Sequence, residues 1–258
     1  MARPSSPSSP TSPLPSTSPP PWHPILKKSY SRNFLYSDEA VYLSMSNIKR
    51  SGDVSMHCLQ FQGFLEEDPR FIEFPLAMND NILMGDIKSD PNARLSWTMP
   101  KTKEYFKFSG KFYIASAPIQ VTRFPPPKIP SSDLAAADFW ENERKRRWKA
   151  LSDQERAVFT WPSRGEVPKA DRIAFSCQSL GNLAEKQESG RSIFGSLTSQ
   201  KPNDSLQVVH DIAMDNFCLL VYRISEVEYF DYSSFPPRRT IYTYSLKDNQ
   251  WLVQDANP

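Results

Sequence analysis

The sequence predicts a mainly β domain of the α+β class, in which hairpin-linked strands close into a barrel with peripheral helices. Several short segments alternate apolar and polar residues, which is the pattern of strands with one buried face. The segments follow one another too closely to leave room for the crossover helices of a parallel sheet. With 258 residues, 39% of them hydrophobic, the chain is also long enough to bury a substantial core.

The segment from Val54 to Phe64 is the strand around which we interpret the rest of the chain. Apolar Leu59 alternates with Gln60, and Gly63 ends the strand. The prediction assigns three polar side chains to its wet face: His57, Gln60 and Gln62. That face is a candidate functional surface.

The first half of the chain supplies most of the predicted strands. Gly52 turns the chain between a strand over 40–48 and the one that starts at Val54, which predicts a hairpin. Further strands are predicted over 71–74, 95–99 and 105–116, and Gly110 indicates a bulge in the last of these. Helical spacing of apolar residues predicts short helices over 22–33 and 80–88.

Helix signals follow a proline-rich connector. A helix capped by Ser132 or Asp133 is predicted to run to about residue 150, and Ser152 with Glu155 forms a capping box for the next helix. The region 163–205 is polar and aperiodic, which predicts a long loop, with order returning at Asp215. An apolar run over 217–222 predicts a strand buried on both faces, and the segments 226–232, 240–244 and 251–253 complete the barrel.

The basic run Arg144–Arg147 has two interpretations. It is a nuclear-import or nucleic-acid patch, or it is a solvated helix face whose charges are paired within the helix. Glu141 lies four residues before Lys145. Glu143 lies four residues before Arg147. This acid-before-base spacing favours the self-paired face.

Composition excludes few classes of function. A net charge of +2 does not indicate a nucleic-acid or membrane partner, and no apolar run reaches membrane-helix length. The three widely spaced cysteines, Cys58, Cys177 and Cys218, are predicted to be reduced and mostly buried. The three histidines lack metal-site spacing, and no nucleotide-binding or hydrolase motif occurs.

We predict a disordered proline- and serine-rich tail over 1–21 and a single domain over 22–258. The region 124–206 is a linker, helical segment and polar loop inserted in that domain. A cytoplasmic location is expected, and an organelle transit peptide stays open as the alternative for the acid-poor tail. P-x-x-P stretches in the tail could also meet proline-binding domains.

A series of short sequence blocks occurs in a fixed order over nearly all of the chain. The blocks are Pro21-Trp22, Phe61-Gln62-Gly63-Phe64, Asp90-Pro91-Asn92-Ala93, Leu95 and Trp97, Lys101 to Gly110, Arg144 to Trp148, Leu151-Ser152, Trp161-Pro162, Asp215 to Leu220, Val227-Glu228-Tyr229, Pro237 to Thr240, Gln250-Trp251 and Asn257-Pro258. No single block is diagnostic, but together they resemble the pyridoxamine 5'-phosphate oxidase-like flavin-binding family, in its branch of short microbial, fungal and plant proteins.

The resemblance implies a split β-barrel, a homodimer, and FMN in clefts at the subunit interface. In the family, the strand equivalent to residues 57–62 runs along the flavin. The resemblance therefore assigns cofactor contacts to seven residues: His57, Cys58, Leu59, Gln60, Gln62, Tyr105 and Arg239. It assigns no catalytic residue, no metal and no particular small-molecule substrate.

The chain departs from the family where the FMN phosphate binds. His57 and Gln62 stand where the family has basic residues. The family's T-D-x-R-S-x-K segment is replaced at five positions: Leu76, Ala77, Asn79, Asp80 and Ile82. Each charge-assisted hydrogen bond lost costs about 1.5 to 3 kcal/mol, so tight FMN binding is in question.

Two hypotheses of function follow from the resemblance. The first is an FMN-dependent oxidoreductase in which the protein orients and tunes the flavin. The alternative is a non-catalytic split-barrel relative that has weakened or lost FMN binding and acts as a binding or scaffold protein. A third possibility is another ligand in the same cleft, such as a deazaflavin or haem, which no residue favours.

Overall fold

A computed structural model describes residues 19–36, 39–165 and 203–258, the side chains of 203–208 excepted. The helices in these residues are α1 His23–Phe34, α2 Asn81–Ser89, α3 Ala136–Ala150, α4 Asp153–Ala157 and α5 Asn203–Asn216, with a 3-10 turn over Val158–Thr160. The strands are β1 Tyr42–Ile48, β2 Val54–Gln60, β3 Gly63–Phe64, β4 Phe71–Ala77, β5 Asn92–Met99, β6 Glu104–Ala115, β7 Phe217–Asp231, β8 Arg238–Ser245 and β9 Gln250–Ala256.

These strands form one curled antiparallel sheet in the order β2-β1-β5-β6-β7-β4-β3, and β8 and β9 extend it from β7. Because β3 follows β2 in the chain, the two ends of this order lie next to each other. The amide of Phe61 donates to the carbonyl of Val41 at 2.7 Å, and the amide of Gln62 donates to the carbonyl of Glu73 at 3.0 Å. The result is a mainly β split barrel, as the sequence predicts.

The core has two parts, one on each face of β7. Cys218, Leu220 and Tyr222 lie in the cluster inside the barrel. Phe217, Leu219 and Val221 lie in a second cluster with side chains of α3 and α5. Both faces of this strand are therefore buried, which explains the continuous apolar run in the sequence.

The predicted bulge in β6 is present, and the register with β7 shifts between Ser109 and Gly110. A Cβ atom at Gly110 would lie 2.2 Å from the carbonyl oxygen of Arg223, so the close strand approach requires glycine. The hydroxyl of Tyr222 donates to the carbonyls of Ala93 at 2.8 Å and Phe108 at 3.2 Å. This side chain ties β7 to β5 and β6 through the barrel interior.

Helix α1 packs into the core inside the barrel through Trp22, which precedes it, and Leu26, both fully buried. The Trp22 ring contacts Phe64, Phe108 and Trp251 at centroid distances of 5.8 to 6.3 Å. A residue beside the predicted tail thus belongs to the core. Of the predicted tail over 1–21, residues 1–18 lie outside the described part of the chain.

Most predicted elements are confirmed. The segments 217–222 and 226–232, predicted as two strands, form the single strand β7. Three further predictions are wrong. Neither Ser132 nor Asp133 caps α3, whose N-cap is Ala135 without a side-chain hydrogen bond. Helix α5 begins at Asn203, so regular structure is present before Asp215, at the end of the predicted loop. Cys58 is exposed on β2, although Cys218 is buried as predicted. Cys177 and most of the predicted loop lie outside the described residues.

Candidate functional site

The polar side chains predicted to share one face of strand β2 lie on two opposite faces. Ser55 and Leu59 are buried and His57 is only 16% exposed in its side chain, so these alternate residues face inward. Cys58 and Gln60 point to the opposite face, as the two-residue period of a strand requires. The prediction of one wet face shared by His57 and Gln60 is therefore wrong.

His57 is held by a carboxylate from helix α2. Its Nε2 lies 2.8 Å from Oδ2 of Asp86, and Nζ of Lys49 lies 3.2 Å from Oδ1 of the same carboxylate. Burial alone would raise the pKa of Asp86, but hydrogen bonds from His57, Lys49 and Ser55 outweigh it and hold the pKa below its usual range. A carboxylate can only accept, so Nε2 of His57 carries its hydrogen.

Asn47 completes the link between the β1–β2 hairpin and helix α2. Its Nδ2 donates to the carbonyls of Asp86 and Asp90, both at 2.9 Å. Its Oδ1 accepts a short hydrogen bond from the hydroxyl of Ser55. These hydrogen bonds tie the hairpin to the helix, and Asp86 sets the orientation of the His57 ring.

Two residues at the positions where the family binds phosphate already make contacts within the protein. The amide side chain of Asn79 donates to the carbonyl of Trp161 at 2.9 Å and accepts from Asn216 at 3.2 Å. Asp80 caps helix α2 by accepting from the amide of Leu83 at 3.1 Å. A carboxylate thus already neutralises the positive end of this helix dipole. These residues do not fit a phosphate dianion.

The other end of β2 is held from helix α3. Nη1 of Arg147 donates to the carbonyl of Gln62 at 3.1 Å, and Nη2 donates to the carbonyl of Phe64 at 3.0 Å. Nη2 also contacts the carboxyl group of Glu73, and Nε donates to Glu143 at 3.0 Å. We call this group of Arg147, Glu73 and Glu143 the strand-end clamp.

The basic run of α3 is paired as its spacing predicts. Lys145 pairs with Glu141 and Arg147 with Glu143, both at i,i+4. The expectation of a solvated face is wrong for Arg144, which is 1% exposed in its side chain and donates to the carbonyls of Met214 and Phe217. The run therefore anchors neighbouring elements instead of forming a free cationic patch.

A groove crosses the outer face of the sheet at β1 and β5, where Ser44 lies beside Ser96. Two adjoining cavities of about 330 and 240 Å³ share these two serines. Met56, Arg94 and Lys107 also line the smaller cavity. The larger cavity is at the lower end of the range for small-molecule sites.

Tyr105 and Arg239 lie on the same outer face but away from β2. Tyr105 stacks on Phe230 at a centroid distance of 4.8 Å, and Arg239 pairs with Glu228 at 3.0 Å. Strand β6 is three strands from β2, about 14 Å at normal strand spacing, and β8 is farther still. Lys107 nevertheless connects Tyr105 to the groove, because its Nζ lies 5.3 Å from the centre of the Tyr105 ring.

The two outward-facing residues of β2 differ in their contacts. Cys58 pairs with the groove residue Ser44. Gln60 instead donates to Glu155 of helix α4 at 3.2 Å.

Gln62, the remaining predicted contact, has its side-chain Oε1 buried with no hydrogen-bond partner in the described chain. Sequence reasoning missed Lys49, Asp86 and Arg147, which hold β2 at its two ends. Of the three, only Arg147 belonged to a pattern that the sequence shows, the self-paired basic run. Contacts between distant segments leave no local pattern. In the described ranges, no group of three or more His, Cys, Asp or Glu side chains could hold a metal ion.

These features define the class of fold: a split barrel of the pyridoxamine 5'-phosphate oxidase-like type. The chain is similar to a pyridoxamine 5'-phosphate oxidase-related, FMN binding protein from Nostoc punctiforme, with a TM-score of 0.66 and 22% identity over 93% of this chain and 100% of that chain. It is also similar to PhzG from Burkholderia lata, solved with tetrahydrophenazine-1-carboxylic acid, with a TM-score of 0.57 and 14% identity over 95% and 97% of the two chains.

These likenesses confirm the predicted resemblance at the level of the fold. No protein-family model matches the chain. No curated protein matches it either. Over the described residues, no helix has the length and apolar character to cross a membrane.

Proposed function

We propose that this protein binds FMN in the groove on the outer face of the sheet, at the interface of a homodimer, with weak anchoring of the phosphate. The observation that carries the proposal is the shared fold with an FMN binding protein over 93% of this chain and all of the other. Strand β2 borders the groove through Met56. Tyr105 and Arg239 adjoin the same groove through Lys107 and would contact the same cofactor.

The proposal assigns the phosphate to Arg94 and Lys107. They are the cationic side chains that line the groove, whereas the positions after β4 hold the cap Asp80 and the engaged amide of Asn79. Arg94 donates to the hydroxyl of Ser109 at 2.8 Å. Lys107 pairs with Glu228 at 3.2 Å. Exposed pairs of this kind are worth about 0 to 1 kcal/mol, so a phosphate can displace them.

A bound flavin would supply redox chemistry, the transfer of hydride or electrons. The chain's own residues would bind and orient it. The serine hydroxyls of the groove would donate to polar atoms of the ligand. Asp86 would hold the inward-facing His57 and thereby fix β2. An FMN-dependent oxidoreductase is the activity that fits this arrangement.

A second candidate is a split-barrel relative without a catalytic role, acting through binding to other molecules. The cap on helix α2 favours it, because the Asp80 carboxylate occupies a helix N-terminus that could otherwise receive a phosphate. Under this second hypothesis the groove would not bind a flavin.

A titration of the purified apo chain with FMN, followed by flavin fluorescence, separates the two. Saturable quenching is expected, and Lys107→Ala should weaken it by about tenfold because one charge-assisted hydrogen bond is lost. Lys111→Ala is the matched control, since Lys111 lies on the same strand and does not line the groove. Absence of quenching would favour the second candidate, and equal effects of the two substitutions would remove Lys107 from the site.

A further inference from the structure

We propose that Arg147 is a positioning residue, which fixes the segment Gln62–Phe64 at the end of strand β2, and that the carboxyl pair Glu73–Glu143 controls how firmly it does so. The proposal rests on the proposed function only in its consequence for flavin affinity. The clamp itself is a property of the chain alone. It links a helix outside the barrel to the strand that borders the groove.

The first observation is the way the guanidinium of Arg147 contacts the turn after β2. It donates to the carbonyls of Gln62 and Phe64, on both sides of Gly63. A Cβ atom at Gly63 would lie 2.9 Å from Nη1, so the guanidinium fills the space that glycine leaves. Arginine's planar fork can hold two acceptors at once, which a lysine ammonium cannot reproduce. The turn is therefore built around this side chain.

The second observation is a buried carboxyl pair beneath the guanidinium. Glu73 has no solvent exposure, and Glu143 is 6% exposed. Both oxygens of the Glu73 carboxyl group are buried without a hydrogen-bond partner in the described part of the chain, and Arg147 contacts Glu73 and Glu143 alike. Ionising both buried carboxyl groups around one guanidinium carries a large cost. A proton on Glu73 avoids this cost and leaves Arg147 balanced by Glu143.

The charges around Glu73 and Glu143 determine how the clamp responds to pH. Arg147 and Arg146 of α3 face it, and Glu66 before β4 pairs with Arg146 at 3.3 Å. Burial raises the pKa of Glu73 to about 8, because the opposing attraction of Arg147 is weaker than the cost of burying the charge and the repulsion from Glu143. Below that pH Glu73 holds a proton and the clamp is closed. Above it, the two carboxylates repel each other and the clamp loosens.

Hydrogen–deuterium exchange on the full chain without flavin tests the clamp directly. Arg147→Lys should speed exchange of the amides in residues 61–65 by about tenfold, while amides of β7 stay protected. Arg146→Lys is the matched control, because Arg146 contacts Glu143 without touching the turn. Equal exchange in the two variants would overturn the positioning role.

The pH dependence gives the readout that a purely structural contact would not produce. In the wild type, exchange in residues 61–65, corrected for the intrinsic rate, should rise between pH 7 and 9, and Glu73→Gln should remove this rise. A rise of the same size in Glu73→Gln would overturn the role of the carboxyl pair.

The consequence for the flavin is measured separately. The Kd for FMN should increase over the same pH range in the wild type and stay constant in Glu73→Gln. A chain that shows the exchange results but never binds FMN would refute the proposed function and leave the clamp standing. A chain that binds FMN with no difference between Arg147→Lys and Arg146→Lys in exchange would refute the clamp alone.

Discussion

Charged side chains hold strand β2 at both ends, but in different surroundings. At the hairpin end, Asp86 receives His57 and Lys49, and Lys49 is 39% exposed. At the other end, Arg147 is 13% exposed and donates to two carbonyls of the turn after β2, beside Glu73, which has no exposure. Water therefore screens Lys49 more than Arg147. The contacts at the hairpin end should accordingly contribute less to stability than those at the other end.

The largest effect is expected when the buried end is broken. Arg147→Ala should lower the free energy of unfolding by about 3 to 5 kcal/mol, because the buried Glu143 carboxylate and two carbonyls of the turn lose their donor. Urea unfolding followed by tryptophan fluorescence measures this change. Arg146→Ala, at a side chain 45% exposed, should cost about 0 to 1 kcal/mol. Similar losses of unfolding free energy in both variants would contradict the structural importance of Arg147 at the end of β2.

The second prediction concerns pH. The folded pKa of Glu73 is about 8 and lies above its ordinary value of 4.5, so its contribution to stability is complete below pH 4.5 and is lost as pH rises through 8. Between pH 6 and 8 the wild type should therefore lose about 2 to 3 kcal/mol relative to Glu73→Gln. Urea unfolding of both proteins at the two pH values provides the comparison. Parallel losses would rule out a proton held by Glu73.

Glycines at the two ends offer a matched pair of substitutions. Gly52 has φ of +93° and nothing within 4 Å of a built Cβ, whereas Gly63 has φ of +148° and would meet the guanidinium of Arg147. Gly52→Ala should cost about 1 kcal/mol of backbone strain, and Gly63→Ala about 2 to 4 kcal/mol because strain and displacement add. Thermal or urea unfolding measures both. A larger loss of stability in Gly52→Ala than in Gly63→Ala would contradict tighter packing at the Gly63 end of β2.

The smallest effect is expected at the hairpin end. Asp86→Asn should lower the free energy of unfolding by about 1 kcal/mol at pH 7, since it weakens two partly exposed pairs. The pKa of Asp86 is depressed, so the stability it contributes is present above its ordinary pKa and is lost as pH falls. The difference between wild type and Asp86→Asn should therefore shrink below pH 4. A difference that grows on acidification would contradict this ion pair.

The sequence predicted the elements well, because they depend on local patterns. The alternation in β1, β5 and β6, the bulge at Gly110 and the capping box at Ser152 were all readable. Helix α5 was missed because the polar, aperiodic stretch over 163–205 runs into its first turn. The cap of α3 was wrong because competing polar residues lie close together before it.

The candidate site was less predictable for a physical reason. Residue types along β2 showed that its ends carry polar groups, but not which distant charges meet them. Asp86 lies 29 residues from His57, and the turn after β2 lies 83 or more residues from Arg147. Such contacts are set by barrel closure and helix packing. The assignment of His57 and Gln60 to one face failed for a simpler reason, the two-residue period itself.

The most direct test of the proposed function compares FMN with riboflavin on the apo chain. Both should quench on binding, with FMN favoured by about tenfold to a hundredfold through Arg94 and Lys107 and not by the larger factor that a full phosphate site would give. Saturation by FMN at concentrations up to about 100 µM is the predicted result. No saturable quenching by either flavin over that range would contradict flavin binding by this protein.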